Sequence, residues 1–118
     1  MKLNHLSLVV TDVPQTAAFF EQFFGFNLVE NKGDVIAILK SADSFTLVLT
    51  RSKDGDAAYP EDFHFGFFLD NQDEVLHAYE QLRAAGHHVP RAPAKIRQSF
   101  GFYFTIPGGI RAEVASNC

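Results

Sequence analysis

The chain has 118 residues, 47% of them hydrophobic and 20% charged, which fits one compact domain and excludes a disordered chain. The net charge of −4 argues against a nucleic-acid partner, because nucleic-acid-binding surfaces are basic. No apolar stretch approaches the roughly 20 residues that a membrane-spanning helix needs, so no membrane partner is expected. The first five residues, MKLNH, contain no apolar export signal, and the single Cys118 cannot form an internal disulfide. We therefore predict a cytoplasmic protein.

The first half of the chain predicts a strand, a helix and three further strands. Residues 3–10 alternate in hydrophobicity, with His5, Ser7 and Val9 on the face opposite the apolar side chains. Thr11 or Asp12 can cap a helix that begins near Pro14 and ends at Gly25, and its apolar stripe is rich in Phe. Short strands are predicted at 26–31, 35–40 and 45–50.

The second half repeats this pattern. Residues 62–69 alternate, with His64, Gly66 and Phe68 on one face and Phe63, Phe65, Phe67 and Leu69 on the other. Asn71 and Glu74 resemble a capping box before a helix that ends at Gly86. A basic loop is predicted at 90–99, followed by strands at 100–106 and 110–115. We expect this loop to be a mobile entrance element outside the core.

An internal repeat relates the two halves. A shift of 59 positions superimposes His5 on His64, Glu21 on Glu80 and Gln22 on Gln81. About 50 residues cannot bury both faces of a sheet alone, so two copies are expected to pack together. We predict one domain spanning residues 1–118, with module one at 1–51, a linker at 52–61 and module two at 62–118.

Three side chains could form a metal site. His5 and His64 occupy equivalent strand positions, and Glu113 lies in the last strand on the face that it shares with Arg111. Two imidazoles and a carboxylate can form a facial triad with open positions for substrate. Each residue also has an ordinary interpretation, since a strand histidine can be a hydrogen-bonded core residue and Glu113 can pair with Arg111 or Arg51.

The charge distribution and the aromatic content suggest where a substrate would bind. Residues 1–86 hold six Lys and Arg against thirteen Asp and Glu, a net −7, whereas residues 87–118 hold four against one, a net +3. Arg97 in the basic loop is predicted to attract an anionic substrate, and the alternative is a solvated loop without a function. Phe68, on the same strand face as His64, is predicted to line the substrate pocket.

Four segments carry a resemblance to a known family: Asn4-His5-Leu6-Ser7-Leu8, the Phe-rich helix ending in Phe24-Gly25-Phe26, Phe63-His64-Phe65, and the closing segment 102–114, FYFTIPGGIRAEV. Through them the chain resembles the vicinal oxygen chelate superfamily, which includes glyoxalase I, extradiol dioxygenases, fosfomycin-resistance thiol transferases and bleomycin-resistance proteins. The resemblance implies an α+β fold of two βαβββ modules, which form a curved, partly open mixed sheet with the helices on its outer face. It also implies a homodimer.

The same resemblance implies roles for individual residues. His5, His64 and Glu113 would be ligands of a divalent metal (Fe, Mn, Co, Ni or Zn). Tyr103 matches the active-site tyrosine of the dioxygenases and fosfomycin enzymes, and Ser7 matches a substrate-contacting threonine of the latter. Glyoxalase I has a further glutamate ligand where this chain has Val48. The potassium-binding loop of the fosfomycin enzymes is replaced here by residues 97–101, RQSFG.

These observations predict a small metalloenzyme that binds an oxygen-chelating small molecule and uses Lewis-acid catalysis. Lyase, isomerase, thiol-transfer and oxygenation chemistry all fit this description. The alternative is a metal-free protein of the antibiotic-resistance type, which would bind a small molecule between Phe-lined walls.

Overall fold

The computed structural model describes residues 1–53 and 58–118. The chain divides into two compact units, Met1–Ala58 and Tyr59–Cys118, and each is described by itself. The boundary between the units falls inside the predicted linker, residues 52–61. Residues 54–57 of that linker lie outside the described residues. No helix in the described part of the chain is long and apolar enough to cross a membrane.

Unit one is a βαβββ module. Its elements are β1 (His5–Val10), α1 (Val13–Phe24), β2 (Asn27–Lys32), β3 (Ile36–Lys40) and β4 (Thr46–Arg51). They form a four-stranded sheet in the order β1-β4-β3-β2. The first and last strands are parallel, and the other pairs are antiparallel. The sheet is therefore mixed, and its two central strands are β4 and β3.

Helix α1 follows the predicted signals closely. The side chain of Asp12 accepts a hydrogen bond from the backbone N–H of Gln15 at 3.0 Å, which satisfies one of the free donors of the first turn. Gly25 ends the helix in the left-handed conformation, with φ of 68°. Phe19 and Phe20 are buried, and the helix packs on β3 and β4. The apolar stripe thus covers one face of the sheet and leaves the other face open.

Unit two is a second βαβββ module. It contains β5 (His64–Phe68), α2 (Gln72–Ala84), β6 (Ala94–Ile96), β7 (Ser99–Thr105) and β8 (Arg111–Asn117). The strand order is β5-β8-β7-β6, again with a parallel pair, β5 and β8, at one side. Helix α2 packs on β7 and β8. Two open mixed sheets, each covered by one helix, confirm the predicted α+β fold of two βαβββ modules.

One element of unit two differs from the sequence prediction. The segment 90–99 was expected to be a loop, but Ala94–Ile96 forms β6, which pairs with β7 in antiparallel register. Arg97 lies in the turn between these strands with a positive φ of 56°, a conformation that glycine usually supplies. The two prolines and three basic residues of this segment predict a loop. The strand forms because its backbone pairs with β7, although its sequence lacks the apolar pattern of a strand.

The core of unit two is aromatic on the helix side of its sheet. Phe102 and Phe104 are almost completely buried, and Tyr79 of α2 meets Phe102 edge-on with ring centroids 5.6 Å apart. Asn71 caps α2 by accepting a hydrogen bond from the Glu74 N–H at 2.9 Å. Because these contacts take the even-numbered side chains of β7 to the helix, Tyr103 is left on the opposite face.

Replacement of Gly101 should test the packing between β7 and β8. A Cβ at this position would lie 2.2 Å from the Val114 carbonyl oxygen and 2.9 Å from Ala115, so both backbones would have to move. We expect Gly101→Ala to lower the free energy of unfolding by about 1–3 kcal/mol, or more. Gly66→Ala is the control, because its Cβ would approach no atom closer than 3.3 Å. Urea denaturation of both variants measures the difference, and equal losses would contradict this account.

Candidate functional site

The site lies on the open face of the sheet in unit two. Strand register places Arg111 opposite both His64 and Thr105, and Glu113 opposite both Gly66 and Tyr103. Partners in a ladder share a face, so one surface carries an imidazole, a carboxylate, a phenol and a guanidinium. Gly66 contributes no side chain to it. Glu113 is therefore accessible from the β5 side.

The ring of His64 is oriented by the backbone just before its strand. Its Nδ1 donates a hydrogen bond to the Asp62 carbonyl oxygen at 3.0 Å. A carbonyl only accepts, so the proton of the neutral ring must sit on Nδ1, and the lone pair must sit on Nε2. Histidines that bind metals are commonly held in this way, with the second ring nitrogen tied to a carbonyl or carboxylate. The geometry of His64 suits a ligand.

Glu113 faces this lone pair. Its Oε1 lies 4.0 Å from His64 Nε2, and the Glu113 and His64 side chains are 21% and 40% exposed. Nitrogen and oxygen ligands lie about 2.0–2.2 Å from a transition metal, so adjacent ligands of one ion are about 3.0–3.4 Å apart, and the 4.0 Å gap would have to close by about 0.6–1 Å for both atoms to bind one ion. The partly buried carboxylate would supply the negative charge of such a site. These two donors therefore suit a divalent metal by chemical type and position, with a small movement of the side chains.

Tyr103 and Arg111 complete the cluster. The Tyr103 and His64 rings meet edge-on, with centroids 5.7 Å apart and planes at 82°. The guanidinium carbon of Arg111 lies over the Tyr103 ring, 4.2 Å from its centroid. In the described part of the chain, the carboxylate of Glu113 lies against His64 Nε2 at 4.0 Å and forms no ion pair with Arg111 or Arg51. The tyrosine ring thus supports both the imidazole and the guanidinium.

The equivalent face of unit one has apolar side chains where unit two has the carboxylate and the phenol. His5 is tied through Nδ1 to the side-chain oxygen of Asn4 at 2.7 Å, which again directs the lone pair to Nε2. Ser7 lies two residues further along the same face and is exposed. Its ladder partner is Val48, which pairs in turn with Ile38. Val48 and Ile38 therefore occupy the places that Glu113 and Tyr103 have in unit two.

Of the predicted site residues, unit two brings together His64, Glu113 and Tyr103. Phe68 shares their face at the far end of β5 and is 64% exposed. Arg97 is remote from His64. Ser99, two residues after Arg97, pairs with a residue of β8 that lies six positions, about 20 Å, from the β8 partner of His64. His5 and Ser7 belong to unit one. Within either unit, the described residues contain no group of three His, Cys, Asp or Glu placed to hold a metal.

A cavity in unit one lies away from the face that carries His5. It is an open groove with a volume of about 150 Å³ between α1, β2 and β3, with Val13, Ala17, Glu21, Leu28 and Ala37 in its wall. Its lining is mainly apolar. It contains none of the predicted site residues.

Three contributors escaped the sequence analysis. The Asp62 carbonyl that orients His64 is a backbone atom, and no residue type signals it. Gly66 could have been recognised as an opening, since it lies between His64 and Phe68 on one face of an alternating strand. Arg111 was considered only as a partner of Glu113. Its stacking on Tyr103 depends on a side-chain conformation that strand alternation does not specify.

Comparisons with known proteins agree with this architecture. The family model of the Glyoxalase/Bleomycin resistance protein/Dioxygenase superfamily matches residues 2–114. A solved structure described as a possible glyoxalase from Bacillus cereus is 32% identical, with a TM-score of 0.87, 100% of this chain covered and 99% of that one. A lactoylglutathione lyase from Agrobacterium tumefaciens is 20% identical, with a TM-score of 0.79 and coverage of 98% and 92%, and shows the fold alone. No curated protein matches the chain in sequence.

Nitrogen NMR of the imidazole rings should reveal the orientation of His64. We expect neutral His64 to be protonated at Nδ1, because the Asp62 carbonyl accepts that proton. His77 on α2 is the reference, since none of its described neighbours fixes a ring nitrogen. The ¹⁵N shifts and two-bond couplings above the imidazole pKa distinguish the tautomers. A His64 ring protonated at Nε2 would remove the lone pair from the side that faces Glu113.

Proposed function

The chain belongs to the Glyoxalase/Bleomycin resistance protein/Dioxygenase superfamily, and from this membership we propose that it is a metal-dependent enzyme acting on a small molecule. Members of this superfamily commonly bind a divalent metal. The observation that carries the proposal is the pairing of an oriented His64 with Glu113, whose atoms Nε2 and Oε1 are 4.0 Å apart. One-carboxylate, imidazole-rich sites accept Fe(II), Mn(II), Co(II), Ni(II) or Zn(II).

We propose His5 as the third ligand. Its ring has the same restraint as that of His64, with Nδ1 bonded and Nε2 free, and it occupies the same position in the repeat. With Val48 in place of a fourth protein ligand, the site would keep positions for two substrate oxygens. A bound divalent metal would act there as a Lewis acid, stabilising charge that develops on those oxygens.

The remaining residues would bind and orient the substrate. Tyr103 could donate its phenolic proton in a hydrogen bond, or as an acid, to an oxygen held near Glu113, its neighbour in the ladder. Ser7 would position the substrate from the His5 face, and Phe68 would offer an apolar contact. A contact with Arg97 would require a ligand that extends along β8. We propose that this chemistry takes place in the cytoplasm, where one cysteine and no disulfide are typical.

Metal-dependent thermal stability tests the ligand set. A metal that binds only the native state adds about 2.7 kcal/mol at a free concentration 100 times its Kd, and this raises Tm. We expect such a rise in the wild type and a sharply smaller one in Glu113→Gln, which removes the anionic ligand without changing its shape. His64→Ala and His5→Ala should behave alike. His77→Ala is the control and should respond like the wild type.

Calorimetric scans with each of the five metals give the measurement. If Glu113→Gln and His64→Ala respond as strongly as the wild type, the ligand set is wrong. If the wild type binds none of the metals, the metal-free binding protein becomes the better description.

We also propose a homodimer. Val9 and Phe68 are exposed, and each lies four residues beyond the histidine of its strand on the same face. Large exposed apolar side chains beside a polar site are typical of a surface that a partner covers. The site would then be completed by a second chain, and metal binding and dimerisation would be linked by mass action.

Sedimentation equilibrium of Phe68→Ser tests the dimer. Loss of a buried aromatic contact should raise the dimer dissociation constant about tenfold or more. Leu76→Ser is the matched control, because Leu76 is an exposed apolar residue on α2. A wild-type protein that stays monomeric at micromolar concentration and still binds metal tightly would contradict the shared site.

A further inference from the structure

We propose that Arg111 binds a carboxylate group of the substrate. This inference rests on the proposed function, because it assigns a chemical class to the substrate of the same site. It begins from the position of Arg111, which is the direct ladder partner of His64 and lies on the face of Glu113 and Tyr103. A group bound by Arg111 would therefore be held beside the atoms that take part in the chemistry.

The guanidinium of Arg111 is available to a ligand. In the part of the chain that the structure describes, the side chain of Arg111 forms no ion pair and no hydrogen bond, and its contact is with the face of the Tyr103 ring. Stacking on an aromatic ring leaves the N–H donors at the edge of the guanidinium plane free. Arg111 therefore presents donors and a positive charge on the open face.

The contact with Tyr103 also prepares Arg111 for a planar anion. A guanidinium carbon that lies 4.2 Å from the Tyr103 centroid is restrained by the ring, so less rotamer freedom is lost when Arg111 binds. Its paired N–H groups match the two oxygens of a carboxylate in spacing and in plane. Glu113, the carboxylate two residues away, is instead turned towards His64.

Gly66 provides space for the rest of the ligand. Gly66 lies two residues after His64, the ladder partner of Arg111, on the same face of β5. A Cβ on Gly66 would come within 3.3 Å of the Glu113 backbone. Without that Cβ, the surface beside Glu113 is open down to the main chain. A carboxylate bound to Arg111 would thus have room for the rest of its molecule beside Glu113 and Tyr103, which lie on the same face.

A pair of matched probes tests this assignment. Benzoate and benzamide have nearly the same shape, but only benzoate is an anion. In metal-free protein, we expect benzoate to bind about tenfold more tightly than benzamide, because a charge-assisted hydrogen bond to arginine is lost in the amide. NMR titration gives both dissociation constants, and the Tyr103 and His64 signals should shift on binding.

Variants separate Arg111 from the general charge of the protein. Arg111→Gln should bind benzoate and benzamide about equally tightly. Arg91→Gln makes the same change in charge and should keep the preference for benzoate. Arg111→Lys should retain part of it, because the charge remains and the planar pair of donors does not. The far-ultraviolet spectrum and Tm verify that each variant is folded.

The outcomes distinguish this inference from the proposed function. A wild type without preference, a preference that survives in Arg111→Gln, or its loss in both Gln variants would overturn the role of Arg111. The titration needs no metal, so it can succeed where metal binding fails. If Arg111→Gln prefers benzoate only when it is loaded with metal, the carboxylate binds the metal directly and Arg111 is dispensable.

Discussion

The parallel pairing of the first and last strands in each module determines which residues meet. A parallel ladder needs a crossover connection, and here the helix and two antiparallel strands provide it. Once β5 and β8 are paired in register, Arg111 lies beside His64, and Glu113 lies beside Gly66. A slip of one residue would turn Glu113 to the helix side, where a carboxylate would be buried among aromatic rings. The core and the site therefore depend on the same register.

The two modules have the same architecture but different chemical content. Each begins with a strand whose histidine is restrained through Nδ1. Only the second module places a carboxylate and a tyrosine on the neighbouring strands, where the first has Val48 and Ile38. Unit two thus places a carboxylate and a phenol beside its imidazole, whereas unit one places hydroxyl groups and the Lys40 amine on the face of His5. The repeat preserves the scaffold while the site has become asymmetric.

Sequence reasoning succeeded where the signals are local. Strand alternation assigned His64 and Glu113 to open faces, and the caps at Asp12 and Asn71 located both helix starts. It failed for β6, which forms a tight hairpin with β7, because the turn residues Arg97 and Gln98 are not the Asn and Gly that usually mark such a turn. It also could not anticipate the stack of Arg111 on Tyr103, because that contact depends on rotamers and on the packing of adjacent strands. Faces could be read from the sequence, but contacts across a face could not.

The two restrained histidines differ in how they can change during evolution. The acceptor for His64 is a main-chain carbonyl, which no substitution of the Asp62 side chain removes. The acceptor for His5 is the side-chain oxygen of Asn4, which a single substitution eliminates. Related chains can therefore vary position 62 freely and still hold the imidazole, whereas drift at position 4 releases the ring of His5. The second module has the restraint that is more robust to mutation.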